Sequence, residues 1–165
     1  MFTSSLEHIF TEQNLKDSFL EISSKSTGLD EISYNEFKTN LSNNIKEIIL
    51  AIQKGSYIPE PLKKIEINKE NSVEKRPIAL SSIKDKLIQK VLYIALRDYF
   101  ETTFSDKSYA YRKDKSTLKA INRTSQFINE KYHWILKTDI DNFFETINHD
   151  KLLKILDRQI SDKRV

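Results

Sequence analysis

Two aspartates, Asp139 and Asp141, follow an apolar run that begins at Trp134. A carboxylate at the end of a buried strand is well placed to bind Mg²⁺, which prefers hard oxygen ligands on rigid elements. Residues two apart share a face of a strand, so a continuing strand would bring both carboxylates together. A turn at Asn142 would separate them. A capped or solvated turn without a metal is the alternative, and the spacing alone leaves both open.

Positive charge is concentrated in the middle of the chain, although the net charge of the whole is only +3. Residues 61–119 carry 14 Lys/Arg against 8 Asp/Glu, whereas residues 1–60 carry 5 against 9. An electrostatic contact with phosphates is therefore expected in the middle third. An ordinary lysine-rich solvated surface is the alternative explanation.

The composition excludes several classes of site. The 165-residue chain has no cysteine, which excludes disulfides and thiolate metal sites, and its three scattered histidines do not indicate a zinc site. No apolar run approaches the roughly 18 residues of a membrane span, and the first residues lack the pattern of a signal peptide. We expect a cytoplasmic protein that does not bind a membrane; the resemblance described below implies that it is of bacterial type.

Apolar periodicity predicts helices over most of the chain. Local signals mark their ends: Ser33 and Glu36 form a capping box, Gly55 suits the position after a helix, and Ser116 is a candidate N-cap. The predicted helices cover residues 6–24, 34–41, 45–54, 81–104, 117–129 and 150–160.

Three strands are predicted beside these helices. Residues 62–67 and 76–80 form a hairpin around a polar connection, with Pro77 favouring an edge position. Residues 132–140 form a third strand that leads to Asp139. The order of elements is typical of an α+β fold.

The motif around Asp139 resembles the first palm motif of reverse transcriptases related to group II introns. In that family a strand ends in Asp-Ile, and two variable residues, Phe-Phe-Asp, Ile and His follow, as in LKTDIDNFFETINHDKLL here. Upstream blocks resemble the same family in the same order, and together they cover about residues 27–156. These blocks are GLDEISYNEF, GSYIPEPLKKIEINK, KRPIALSSIKDKLIQKVL and FSDKSYAYRKDKST.

The resemblance implies a metal site and a sugar gate. Asp139 matches the first metal-binding aspartate and is the implied catalytic residue. The backbone carbonyl of Ile140 is implied as a ligand of the second metal, with Mg²⁺ as the cofactor and Mn²⁺ as an alternative. Phe144 matches the aromatic residue that lies against the sugar 2′ position of the incoming nucleotide, although a core phenylalanine is the alternative. Asp141 falls at a variable position and is interpreted as a solvated carboxylate, or as one that supports the metal ligands from behind, rather than as a ligand itself.

Two further pairs of residues match family positions. Lys69 and Arg76 match the fingers residues that hold the nucleotide triphosphate, and cations on a hairpin suit this role because they offset phosphate charge. Gln89 and Arg112 match positions that bind the template or support the junction between fingers and palm.

The resemblance implies part of a right-hand polymerase fold, with helical fingers, a β-hairpin and the first palm strand and helix. We expect an N-terminal helical extension over residues 1–29, fingers over 30–131 and the beginning of the palm over 132–165. The implied reaction is template-directed transfer of deoxynucleotides to a primer 3′-hydroxyl with two metal ions. The implied partners are an RNA template, a DNA primer and deoxynucleoside triphosphates (dNTPs).

The sequence departs from the family pattern in two ways. The Tyr-x-Asp-Asp motif that supplies further carboxylates does not occur in the 165 residues, so we expect a partial sequence that is inactive alone. An RNA-binding module without catalysis and a scaffold domain stay open as alternatives. Individual residues also differ from the family pattern: Glu31, Ala79 and Ala110 for Gly, Asn68 for Pro, Tyr111 for Phe and Glu145 for Asp. These differences leave the subgroup open among mobile-element, phage-defence and CRISPR-associated enzymes.

Overall fold

The computed structural model describes residues 1–23, 25–68 and 75–165. The chain divides into two compact units: an N-terminal unit of residues 2–96 and 161–165, and a C-terminal unit of residues 97–160 with Met1. The predicted α+β class is confirmed, whereas the assignment of fingers and palm stays a prediction. Across the described ranges, no helix combines the length and the apolar character that crossing a membrane requires.

The secondary structure agrees with most of the predicted elements; the exceptions are the first predicted helix, over residues 6–24, and the strand before Asp139. The described helices are α1 (Leu6–Ile9), α2 (Glu12–Leu20), α3 (Tyr34–Thr39), α4 (Leu41–Gln53), α5 (Ile83–Glu101), α6 (Thr117–Asn129), α7 (Phe143–Thr146) and α8 (His149–Gln159), and the strands are β1 (Lys63–Asn68) and β2 (Lys75–Leu80).

Side-chain caps set several helix ends where the sequence predicts them. Ser33 Oγ accepts from the Glu36 amide while the Glu36 carboxylate accepts from the Ser33 amide, which confirms the capping box. Gly55 follows α4 with φ of +64°, and Ser116 Oγ accepts from the backbone at the start of α6. The helix predicted over residues 6–24 is two helices, because Thr11 caps a new helix at α2.

The core of the N-terminal unit forms where α2, α3, α4 and α5 bury their apolar faces. Phe19 is fully buried and stacks on Tyr34, with ring centroids 4.6 Å apart, and on Phe37 at 5.7 Å. Burial of such side chains is the main favourable term in folding. Other buried apolar residues of this unit are Phe2, Leu6, Ile9, Phe10, Leu15, Ile22, Ile45, Ile48, Ile83, Leu87, Ile88 and Val91.

The predicted hairpin is present as an antiparallel pair of strands. β1 and β2 are in register with Ile65 opposite Ile78, Glu66 opposite Pro77, and Ile67 opposite Arg76. Pro77 is tolerated because the sheet that the structure describes has only these two strands, so each strand has an unpaired edge. The predicted polar connection falls largely on residues 69–74, which lie outside the described residues.

The strand predicted over residues 132–140 is wrong for this structure. The segment has irregular backbone, and its apolar side chains are exposed: Trp134 is 97% and Leu136 is 89% accessible. A strand requires a neighbour for its backbone N–H and C=O groups, and the strands in the described part of the chain pair with each other. The C-terminal unit is also unusual in that α6, α7 and α8 bury none of their residues.

Candidate functional site

The loop that carries Asp139 presents its carboxylate to solvent. Asp139 is exposed and, among the residues that the structure describes, its carboxylate has no hydrogen-bond or ion-pair partner. Asp141 accepts a hydrogen bond of 3.2 Å from the side chain of the neighbouring Asn142. Asn142 adopts a left-handed conformation with φ of +49°, which asparagine tolerates better than most residues. The predicted turn at this residue is therefore present.

The turn at Asn142 begins a short helix, α7, that orients the two phenylalanines. The amides of Glu145 and Thr146 both donate to the Asn142 carbonyl at 3.0 Å. Phe143 and Phe144 make an edge-to-face contact with centroids 5.3 Å apart, and Phe144 is 74% exposed. Phe144 is thus not a core residue in this structure. Its predicted role as a sugar gate requires a nucleotide and stays a prediction.

The residues of this loop offer the type of oxygen ligand that a divalent ion binds, but too few carboxylates for two ions. The Asp139 carboxylate and the Ile140 carbonyl offer the oxygen ligands that Mg²⁺ and Mn²⁺ prefer. However, no group of three or more acidic, histidine or cysteine side chains converges within residues 1–23, 25–68 and 75–165. One carboxylate cannot neutralise two divalent ions. The described part of the chain therefore does not by itself hold the predicted metal pair.

The hairpin presents cationic side chains to solvent. Arg76 is exposed on β2, and Lys75 beside it forms a 3.5 Å ion pair with Glu66 of β1. The pair is exposed, so its contribution to stability is small. Lys69, the other predicted triphosphate ligand, lies outside the described residues. The distance between the two predicted ligands is thus not part of the described geometry.

The Arg112 side chain forms hydrogen bonds with the end of α5 and with the segment between α5 and α6. Its Nε and Nη2 donate to the Glu101 carboxylate at 2.7 to 3.2 Å, and its Nη1 donates to the carbonyls of Ser105 and Ser108 at 2.5 and 2.9 Å. The Arg112 side chain is 6% exposed, and its guanidinium lowers the pKa of Glu101. These contacts are those of a residue that organises the connection between α5 and α6. Template binding by Arg112 stays an untested prediction.

Gln89 lies on the exposed side of α5. It lines a shallow cleft of about 260 Å³ together with Lys86, Lys90, Tyr93 and Glu21. Lys90 makes a 3.0 Å ion pair with Glu21, and its ammonium group lies 5.4 Å from the centroid of the Tyr93 ring. The cleft combines cations with an aromatic ring, which is compatible with either role predicted for Gln89.

Sequence reasoning missed a buried carboxylate in α5, Asp85, which is 2% exposed. Periodicity contained a signal for it, because Asp85 is three residues before the buried Ile88, a spacing that places both on one side of the helix. A charged residue in such a position is rarely buried without partners.

Comparison with known proteins identifies relatives over most of the chain. A sequence model of the family described as reverse transcriptase (RNA-dependent DNA polymerase) matches residues 67–164. The group II intron-encoded protein LtrA of Lactococcus lactis subsp. cremoris is 33% identical over 124 residues, which is 73% of this chain and 20% of that protein. Protein YkfC of Escherichia coli (strain K12) is 25% identical over 141 residues, 83% of this chain and 37% of that protein.

A plant relative extends the range of similar proteins. Nuclear intron maturase 1, mitochondrial, of Arabidopsis thaliana is 27% identical over 117 residues, which is 67% of this chain and 16% of that protein. The chain spans about a fifth of the length of the LtrA relative and less than two fifths of YkfC.

Proposed function

Because the chain belongs to the reverse transcriptase (RNA-dependent DNA polymerase) family, we propose that it is part of an enzyme that copies RNA into DNA. The observation that carries this proposal is the family match over residues 67–164, which includes both Arg76 and Asp139. The implied reaction transfers a deoxynucleotide to a primer 3′-hydroxyl and releases pyrophosphate. The hairpin and its helices would form the fingers, and residues 132–165 would begin the palm.

Asp139 is proposed as a metal ligand because of its chemistry and its surroundings. An ionised carboxylate only accepts hydrogen bonds, and this one is exposed and has no partner in the described part of the chain. The Ile140 carbonyl would supply a second oxygen. When bound, divalent ions would stabilise the charge that develops on the phosphate and the leaving group. Phe144, exposed on α7, would limit the space beside the nucleotide sugar.

Arg76 is proposed to bind the nucleotide triphosphate together with Lys69. A guanidinium can donate two parallel hydrogen bonds to phosphate oxygens, and such charge-assisted bonds are stronger than neutral ones. The exposed position of Arg76 on β2 leaves the side chain able to reach a ligand.

We expect the 165-residue chain by itself not to polymerise, because its one candidate carboxylate cannot hold two metal ions. The exposed apolar side chains before Asp139 support the same expectation. Trp134, Ile135 and Leu136 are 97%, 77% and 89% exposed. A segment with irregular backbone and exposed apolar side chains does not hold the Asp139 carboxylate in the fixed position that a metal site requires.

An RNA-binding module without catalysis is the second candidate function. It is favoured by the small donor set around Asp139 and by the basic middle third of the sequence. Backbone phosphates are bound mainly by lysine and arginine, and such binding weakens as the salt concentration rises.

A binding experiment separates these functions. Fluorescence anisotropy measures the affinity of the chain for an RNA–DNA template–primer at several salt concentrations, and for a fluorescent dNTP with and without Mg²⁺. Arg76→Glu is expected to weaken dNTP binding by about tenfold or more, since hydrogen bonds to charged groups contribute about 1.5 to 3 kcal/mol. Lys38→Glu is the matched control, because it reverses the charge of an exposed residue on α3, and it should change dNTP affinity little.

Each outcome supports a different function. Mg²⁺-dependent dNTP binding that Arg76→Glu removes supports polymerase function, whereas salt-dependent RNA binding without dNTP binding supports the RNA-binding module. Charge reversal at Lys69 and Arg76 with no effect on either ligand would support the scaffold. Nucleotide incorporation by the chain alone, abolished by Asp139→Ala, would refute the expected lack of activity.

A further inference from the structure

Asp85 is a buried carboxylate whose hydrogen bonds reach outside its own helix. It lies in the first turn of α5, and its carboxylate accepts hydrogen bonds from the Tyr57 hydroxyl at 2.5 Å and from the Glu60 amide at 3.0 Å. Its own amide donates to Ser82 Oγ at 3.1 Å. Burying a carboxylate is costly unless hydrogen bonds compensate it, so the two bonds that the Asp85 carboxylate accepts account for its place in the core.

The partners of Asp85 belong to the segment that enters the hairpin. Glu60 is separated from the first residue of β1, Lys63, by only two residues. The Lys84 side chain forms an ion pair with the carboxylate of the same glutamate, with Lys84 Nζ 3.1 Å from Glu60 Oε1. Pro59 and Pro61 flank Glu60 and fix two backbone φ angles, so a constraint at this point is transmitted to the start of the strand.

The other strand of the hairpin is attached to the same helical turn. β2 ends at Leu80, and α5 begins at Ile83, so the covalent chain joins them through two residues. The base of the hairpin therefore has two attachments to the first turn of α5: β2 through the backbone and β1 through Asp85. Without the Asp85 bonds, the described part of the hairpin would keep the covalent attachment of β2 and the Lys84–Glu60 ion pair.

The Tyr57 hydroxyl remains a hydrogen-bond donor over the physiological pH range. Burial and the adjacent Asp85 carboxylate raise the pKa of the Tyr57 hydroxyl above its usual value of 10.0. The hydroxyl thus stays protonated and continues to donate to Asp85.

We propose that Asp85 is a positioning residue that fixes the base of the β1–β2 hairpin and thereby places Arg76 for the nucleotide triphosphate. The nucleotide part of this inference rests on the proposed function, while the anchoring of the hairpin does not. This role requires no contact between Asp85, which is 2% exposed, and the nucleotide. Its effect is on the orientation of the hairpin relative to α5.

Spin-label distances test the anchoring directly. The chain has no cysteine, so cysteines introduced at Glu66 on β1 and Lys46 on α4, both exposed, would carry the only two labels. Pulsed electron paramagnetic resonance should give one narrow distance distribution for the parent chain. Asp85→Asn and Tyr57→Phe should each broaden it, because each removes a bond between α5 and the entry to β1.

The control is Ser33→Ala, which removes a capping hydrogen bond on α3; the side-chain hydrogen bonds of Ser33 in the described part of the chain are made with Glu36, not with β1 or β2. It should lower stability while leaving the label distribution narrow. Tyr57→Phe changes a single hydroxyl and keeps the test valid if Asp85→Asn does not fold. Unchanged distributions in both hairpin variants, or equal broadening in Ser33→Ala, would overturn the anchoring.

Nucleotide affinity tests the second part. Tyr57→Phe and Asp85→Asn should weaken Mg²⁺–dNTP binding by about tenfold, and Arg76→Ala should weaken it without broadening the label distribution. Broadening with unchanged dNTP affinity would overturn the proposed link to the nucleotide. A parent chain that binds no dNTP would refute the proposed function and this link together, and the label distances alone would then decide the anchoring.

Discussion

The two glycines of the chain should respond differently to substitution by alanine, because each is required for a different reason. A Cβ on Gly28 would lie 2.7 Å from the Ser82 amide nitrogen and 2.8 Å from Ser82 Cα. Real side chains do not approach a backbone so closely, so Gly28→Ala must displace residues 27–29 or the start of α5. Such overpacking typically costs about 1 to 3 kcal/mol.

That cost predicts a measurable loss of thermal stability. For a unit of roughly 100 residues, 1 kcal/mol corresponds to a change in melting temperature of about 4 to 8 °C. Gly28→Ala should therefore lower the melting temperature by at least that amount, measured by far-ultraviolet circular dichroism. Urea titration of the same variant would give the free energy of unfolding independently.

Gly55 provides the contrast. A Cβ there would meet no atom within 4 Å, but φ is +64°, which is unfavourable for alanine. Gly55→Ala should cost about 1 kcal/mol, and Gly55→Asn should recover part of that loss because asparagine tolerates this conformation. At position 28, by contrast, no small side chain should recover the stability lost in Gly28→Ala, because any Cβ would meet Ser82. A Gly28→Ala variant as stable as the parent chain would refute the close approach to Ser82.

Two further predictions concern the N-terminal unit. Phe19→Ala should lower the free energy of unfolding by about 3 to 5 kcal/mol, whereas Leu20→Ala, next to it but 74% exposed, should change it by less than about 0.5 kcal/mol; equal effects in urea titrations would contradict the described core. The Glu7 carboxylate binds the Arg164 guanidinium, which lowers the Glu7 pKa from 4.5 to about 2. Because its folded pKa is depressed, Glu7 stabilises the fold above pH 4.5, and this contribution is lost as pH falls towards 2. Melting temperatures of Glu7→Gln and the parent chain should therefore differ at neutral pH and converge near pH 2, and a constant difference would contradict the ion pair.

The elements that the sequence predicts best depend on local signals. The capping box at Ser33, the glycine after α4 and the N-cap at Ser116 each act within a few residues, and all three are present. Thr11 carried the same kind of signal, and its cap explains why one predicted helix is two.

The elements that could not be predicted depend on partners distant in sequence. An apolar run such as residues 132–140 has strand propensity, but only a neighbouring strand can satisfy its backbone. The Asp85 bonds have the same origin, since Tyr57 lies 28 residues away and no local rule joins the two. At the candidate site, residue types could be predicted from the motif, whereas their relative positions could not.

The contacts that join α1 to residues 162 and 164 have a consequence for folding during synthesis. The Leu6 amide donates to the Asp162 carboxylate at 2.9 Å, a contact between residues 156 positions apart. Such a contact raises the contact order of the N-terminal unit and cannot form until residue 162 has been synthesised. At about 5 to 20 residues per second, the ribosome spends roughly 3 to 13 seconds on residues 97–160. During that interval residues 2–96 of the N-terminal unit have been synthesised but α1 still lacks Asp162 and Arg164, so the incomplete unit is exposed to chaperones and to aggregation.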